Sequence, residues 1–158
     1  MAKMLVCYFS RTKHTQHMAE AVAKGAAGVE GIQVELKNLS QVNPKDLANY
    51  DAIIMGSPTY YGSMCGEMKK FLDESVALHG RLDGKVGAAF SSSAIPGGGS
   101  ETTILDILKA MLIHGMIIKG ETRGYHYGPI AVGDPNQPAL DECVRLGKNT
   151  AALTMKLD

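Results

Sequence analysis

The sequence predicts an α/β protein: an open, mostly parallel sheet with helices on both faces. Two observations carry that prediction. Strand-length apolar runs alternate five times with amphipathic helical segments, the pattern of successive crossover units. Three of the segments that follow strands are rich in Ser, Thr and Gly. In an open α/β sheet such segments gather at the carboxyl edge, where ligands bind. No repeat, linker or break in composition divides residues 1–158, so one domain is expected.

Residues 3–9 read as a strand, apolar without a break from Met4 to Phe9, as a strand buried on both faces must be. After a polar turn at 10–15, residues 16–27 place Met18, Ala19, Val22, Ala23 and Ala26 on one helical stripe. Residues 32–36 alternate apolar and polar, which suits an edge strand. Pro44 suits the first position of a short helix. Residues 51–55 and 86–90 are two more buried strands. Between them, residues 64–72 should be helical, with Met64, Met68, Phe71 and Leu72 inward. Residues 102–113 form the next helix, with Ile104, Leu105, Leu108 and Leu112 expected inward. Residues 116–118 form a short strand, which 130–132 continue after an insertion. A helix over 141–153 closes the pattern.

Composition narrows the function classes. With 45% apolar and 20% charged residues the chain is an ordinary globular one. Its formal net charge of zero gives no basic footprint for nucleic acid. It also argues against a strongly acidic electron-carrier surface, and it is compatible with self-association. Cys7, Cys65 and Cys143 are widely spaced and form no metal motif. A reducing, cytoplasmic setting is therefore expected. The first apolar run is too short for a signal peptide, and no membrane span is expected.

The stretch Ser10, Arg11, Thr12, Lys13, His14, Thr15 joins the first strand to the first helix. Three hydroxyls and the free N–H groups of a helix start converge there, which suits a phosphate. The plainer alternative is a good helix cap with Arg11 and Lys13 as solvated charges. The absence of GxxxxGK[ST] disfavours nucleotide hydrolysis.

Taken with the later loops, the sequence resembles the flavodoxin-like family over nearly its whole length. It is most similar to the NAD(P)H:quinone oxidoreductases once described as tryptophan-repressor-binding proteins, with flavodoxins as more distant relatives. Ser10, Thr12 and Thr15 match the family's phosphate loop, His14 fits its quinone-reductase branch, and Lys13 replaces the usual glycine. The run Gly56, Ser57, Pro58, Thr59, Tyr60, Tyr61, Gly62 matches the loop that wraps an isoalloxazine ring. Ser91, Ser92, Ser93, Gly97, Gly98 and Gly99 match the loop that meets the ring's polar edge and ribityl chain. His114, before Gly115 and Met116, matches a histidine that faces flavin or substrate.

The resemblance implies a three-layer sandwich around a five-stranded parallel sheet of order 2-1-3-4-5. It also implies FMN as cofactor and reduction of a quinone-like acceptor by NAD(P)H, with His114 as catalytic residue. It further implies a possible homodimer or homotetramer. However, residues 37–51 are shorter than the family's assembly insertion, and the chain has no tryptophan. A one-electron carrier serving a redox protein is the second reading, and a module without cofactor the third. Tyr125, His126 and Tyr127 could cover a substrate or only pack their own loop.

Overall fold

The computed structural model describes residues 1–157. Among them the chain runs β1 (Ala2–Tyr8), α1 (His14–Ala27), β2 (Ile32–Asn38), β3 (Ala52–Tyr60), β4 (Ser63–Met64), α2 (Gly66–Glu74) and β5 (Val86–Ser93). It continues through α3 (Ser100–Ile113), β6 (Ile117–Ile118), β7 (Ile130–Val132) and α4 (Gln137–Leu157). Short 3-10 turns lie at Leu39–Gln41, Pro44–Asn49 and Ser75–Leu78. Pro44 opens the second of these, where Asn43 accepts a hydrogen bond from the Lys45 N–H.

The hydrogen-bonded order is β2-β1-β3-β5-β6, with β4 on β3 and β7 on β5. Seven strands among the described residues replace the five expected. The additional β4 is a two-residue hairpin arm antiparallel to the end of β3. The last parallel strand is in two pieces: β6 pairs with the start of β5 at Val86 and Gly87, and β7 with its end at Ser91, Ser92 and Ser93. Between the pieces, Gly128 (φ 144) passes so close to β5 that any Cβ would overlap the Ala89 carbonyl oxygen. The insertion therefore rejoins the sheet through bare backbone.

β3 and β5 extend further than their apolar runs indicate. Ser57 pairs with Ser91 and Pro58 with Ser92 as parallel strand, not loop. These polar residues can stay in the sheet because internal bonds satisfy their hydroxyls; Ser57 Oγ, for example, accepts from the Cys65 N–H at 3.0 Å.

Alternation along the strands divides the core into two. Leu5, Cys7, Ile53 and Met55 face α2 and α3, where Met68, Phe71, Ile104 and Met111 close one layer. Met4, Val6, Ile54 and Phe90 face α1 and α4, against Met18, Val22, Cys143 and Leu146. Each fully buried side chain of this kind contributes roughly 1.5–3 kcal/mol. α3 presents Thr103, Ile104, Ile107, Leu108 and Met111 inward. Leu105 and Leu112, expected inside, are exposed. α1 and α4 approach until Gly25 and Gly147 each touch the other helix's backbone.

Candidate functional site

β1 delivers the chain to the carboxyl edge, and it turns into α1 through Lys13. That residue adopts φ 69, ψ −5, the left-handed conformation that the family's glycine would take at no cost. For lysine it costs about 1–2 kcal/mol. The His17 N–H reaches back to the Lys13 carbonyl at 2.9 Å and closes the first helical turn. Among the described residues no side chain caps α1, and its first turn holds no acid. The leading N–H groups and the positive end of the helix are left without a partner. Thr12 and Lys13 are exposed beside them, and Ser10 and His14 are half-buried.

Thr15 is different. It is buried, and its Oγ1 lies 2.9 Å from Ser92 Oγ. It fastens the cradle to β5 from within.

β3 and β4 meet in a two-residue hairpin. Tyr60 pairs with Ser63, while Tyr61 (φ 50) and Gly62 (φ 80) are both left-handed, the geometry of a type I′ turn. Tyr61 is fully exposed at the tip. From β5 the chain passes through residues 94–99 into α3. Gly99 has φ 108, and a Cβ on it would stand 2.7 Å from Gly62 Cα. Only glycine allows the two loops to meet there.

Hydroxyls join the same loops. Thr102 Oγ1 donates to the Gly62 carbonyl at 2.7 Å. Thr103 Oγ1 lies 3.0 Å from Thr59 Oγ1, which lies 2.9 Å from Ser91 Oγ. Ser91 and Ser92 thus point to opposite faces, as neighbours in a strand must, and each locks a different loop. The expectation that Ser91, Ser92 and Ser93 form an open loop is corrected: they are the buried end of β5.

The structure therefore brings the segments holding Ser10, Thr12, Lys13, His14 and Thr15, Pro58 through Gly62, Ser91 through Ser93 and Gly97 through Gly99 to one edge. It does not bring His114 there. α3 runs back along the sheet, and at about 1.5 Å per residue its length is roughly 20 Å. His114 follows its last turn, and the next residue, Gly115, accepts from the Gly84 N–H just before β5. His114 is buried at the amino edge, 2.8 Å from Ser75 Oγ.

Arg11 has a larger part than its sequence context indicated. Its guanidinium lies 5.1 Å from the Tyr60 ring centre and 3.2 Å from Glu67. Glu67's own backbone N–H, and then Arg11, hold its carboxyl below the usual carboxylate range. Nothing near Arg11 in sequence announces these partners, which lie about fifty residues downstream. Cys65, behind the hairpin, is buried, and burial pushes its thiol pKa up, so it stays protonated. The insertion is tied to α4 by Asn149 Nδ2 on Glu121 at 2.9 Å, and Tyr125 and Tyr127 lie exposed on it.

These residues fit FMN. An uncapped helix start with adjacent hydroxyls suits a monophosphate, and two aromatics and a bare glycine contact suit a flat ring. Among the described residues no acidic, histidine or cysteine cluster could hold a metal.

Comparison with known proteins agrees. The profile of a family described as NADPH-dependent FMN reductase matches residues 4–124. The chain is 38% identical to a flavodoxin of Aquifex aeolicus over 159 residues, covering 96% of this chain and 86% of that protein. It is 36% identical over 190 residues to an NAD(P)H dehydrogenase (quinone) of Archaeoglobus fulgidus, covering 99% of this chain and 100% of that one. The solved structure of a flavodoxin, WrbA-like protein from Agrobacterium tumefaciens matches over 100% of both chains, with TM-score 0.84 at 29% identity. The flavodoxin-like fold and FMN as cofactor follow.

Proposed function

The chain belongs to the NADPH-dependent FMN reductase family, and from that premise we propose that it uses NAD(P)H to reduce a quinone-like acceptor by two electrons. The carrying observation is the uncapped start of α1 beside two loops that touch at Gly62 and Gly99. The full-length likeness to a quinone dehydrogenase supports the choice of acceptor.

When bound, FMN supplies the electron chemistry, accepting a hydride from nicotinamide and returning two electrons to the acceptor. The chain supplies position and charge. The α1 N–H groups, with Ser10 and Thr12, hold the phosphate, and Lys13 adds a positive charge. Tyr60 and Tyr61 give the ring an apolar wall. Backbone N–H groups of residues 94–99 stabilise negative charge on the ring's polar edge. Thr15, Ser91, Ser92 and Thr103 keep the loops in register without touching the ligand. His114 has no part in the flavin site of its own chain, because α3 carries it to the other edge. Three free cysteines support a reducing cytoplasmic setting, and zero net charge is compatible with a homo-oligomer.

The second reading is a one-electron carrier, which the likeness to the Aquifex aeolicus flavodoxin favours. One experiment separates the two. The protein is loaded with FMN, dialysed, and mixed anaerobically with NADH or NADPH and a quinone. Rapid bleaching with repeated turnover is expected; retained flavin that neither cofactor bleaches would sink the enzyme reading in favour of the carrier.

A further inference from the structure

A second cavity, of about 800 Å³, lies between α2 with its 3-10 extension and α3. That volume is within the range of small-molecule pockets. Leu72, Val76, Ala110 and Ile113 give it apolar walls, and His79 and His114 also line it. Its four charged side chains neutralise one another in pairs. Lys69 lies 2.7 Å from Asp73, and Lys109 2.6 Å from Asp106. The cavity offers a ligand no net charge.

Apart from the carboxylates paired with those lysines, it holds one buried acceptor that has no partner among the described residues. Ser75 Oγ donates to the Leu72 carbonyl at 2.7 Å, which uses its only proton. The 2.8 Å contact between Ser75 Oγ and His114 Nε2 must then be donated by the histidine. That fixes the neutral tautomer, with the proton on Nε2 and a lone pair on Nδ1. Burial, and then His79, lower the His114 pKa and keep the ring neutral. His114 is 8% exposed, and its buried Nδ1 has no hydrogen-bond partner among the described residues. Such an orphan calls for an explanation. The His79 ring, exposed on the same cavity wall, is centred 6.4 Å from the His114 ring.

We propose that this cavity is a second small-molecule site, separate from the FMN loops, for a neutral apolar compound bearing a hydroxyl donor, a phenol in chemical class. The apolar body lies along Leu72, Val76 and Ile113. The hydroxyl donates to His114 Nδ1 once His79 swings aside. The site shares only the β4 wall at Ser63 and Met64 with the flavin hairpin, and it does not depend on the proposed reductase activity.

The test uses the full chain, with and without FMN, and two probes: 4-ethylphenol, and 4-ethylanisole, which has the same body and no donor. The phenol should bind roughly tenfold tighter, the ratio one hydrogen bond supplies. It alone should shift the 15N resonance of His114 Nδ1, leaving the flavin absorption unchanged. His114→Leu should abolish the preference. Val76 is 71% exposed and His79 is also exposed, so variants there keep the fold if His114→Leu does not. Val76→Asp should weaken both probes at least tenfold, and His79→Ala should tighten the phenol. Equal affinities, no binding at millimolar probe, or a perturbed flavin spectrum would overturn the proposal. So would a dimer that Val76→Asp dissociates and that binds no phenol, because the cavity would then be an interface between copies.

Discussion

The Arg11 guanidinium lies over the Tyr60 ring, 5.1 Å from its centre, and also pairs with Glu67. One side chain of the proposed phosphate turn thereby holds an aromatic of the β3–β4 hairpin proposed to face the flavin. Such a contact is worth about 0.5–1 kcal/mol at an exposed site, and the ion pair adds little to stability there. Arg11→Ala should therefore leave the unfolding midpoint nearly unchanged while raising the FMN dissociation constant about threefold. Fluorescence titration would measure it, and an unchanged constant would mean that Tyr60 is held without Arg11.

Lys13 gives a prediction of opposite sign. Its left-handed backbone costs about 1–2 kcal/mol, which glycine would relieve. Glycine also loosens the unfolded chain, offsetting about 0.4–1 kcal/mol of that gain. Lys13→Gly should stabilise the protein by about 0.5–1 kcal/mol in urea unfolding. Lys13→Val, β-branched, should destabilise it. If both variants weaken the fold equally, the turn is not strained at this position.

His114 makes stability depend on pH. Burial, then His79, depress its pKa below the ordinary 6.5. As pH falls, the unfolded chain takes up the proton before the folded one. This contribution is therefore undiminished above 6.5, declines as pH drops through that value, and levels off below the folded pKa. His114→Gln should flatten the loss of stability between about pH 7.5 and pH 5. Urea midpoints that fall in parallel for the two proteins would assign the pH dependence to other groups.

Much of the fold could be read from periodicity. The buried runs of β1, β3 and β5 and the stripes of α1 and α2 give the layers. Boundaries failed where buried hydroxyls find internal partners: Ser57, Ser91 and Ser92 look like loop to any hydrophobicity argument, yet they sit in the strand ladder with their hydroxyls bonded to Cys65, Thr59 and Thr15. The α3 stripe was read one step out of phase, because Thr103 faces inward through its bond to Thr59. That the hydroxyl- and glycine-rich loops of the candidate site gather at one edge was legible, since strand order alone brings them there. His114 was misplaced because a motif match fixes its neighbours in sequence but not the end of the sheet to which α3 returns. The Arg11 contacts join residues too distant in sequence for any local pattern to connect.

The two flanks of the sheet have different consequences for life in a crowded solution. On the β6 and β7 side the outermost ladder is broken into pieces of two and three residues by the inserted segment. An incoming strand finds no continuous row of donors and acceptors to copy. The opposite flank, β2, presents seven residues in one run, with Gln33, Glu35 and Lys37 among them. There the charged side chains, rather than a break in the backbone, must discourage another chain from adding itself, so neutralising Glu35 and Lys37 would open a continuous seam along which this protein could polymerise.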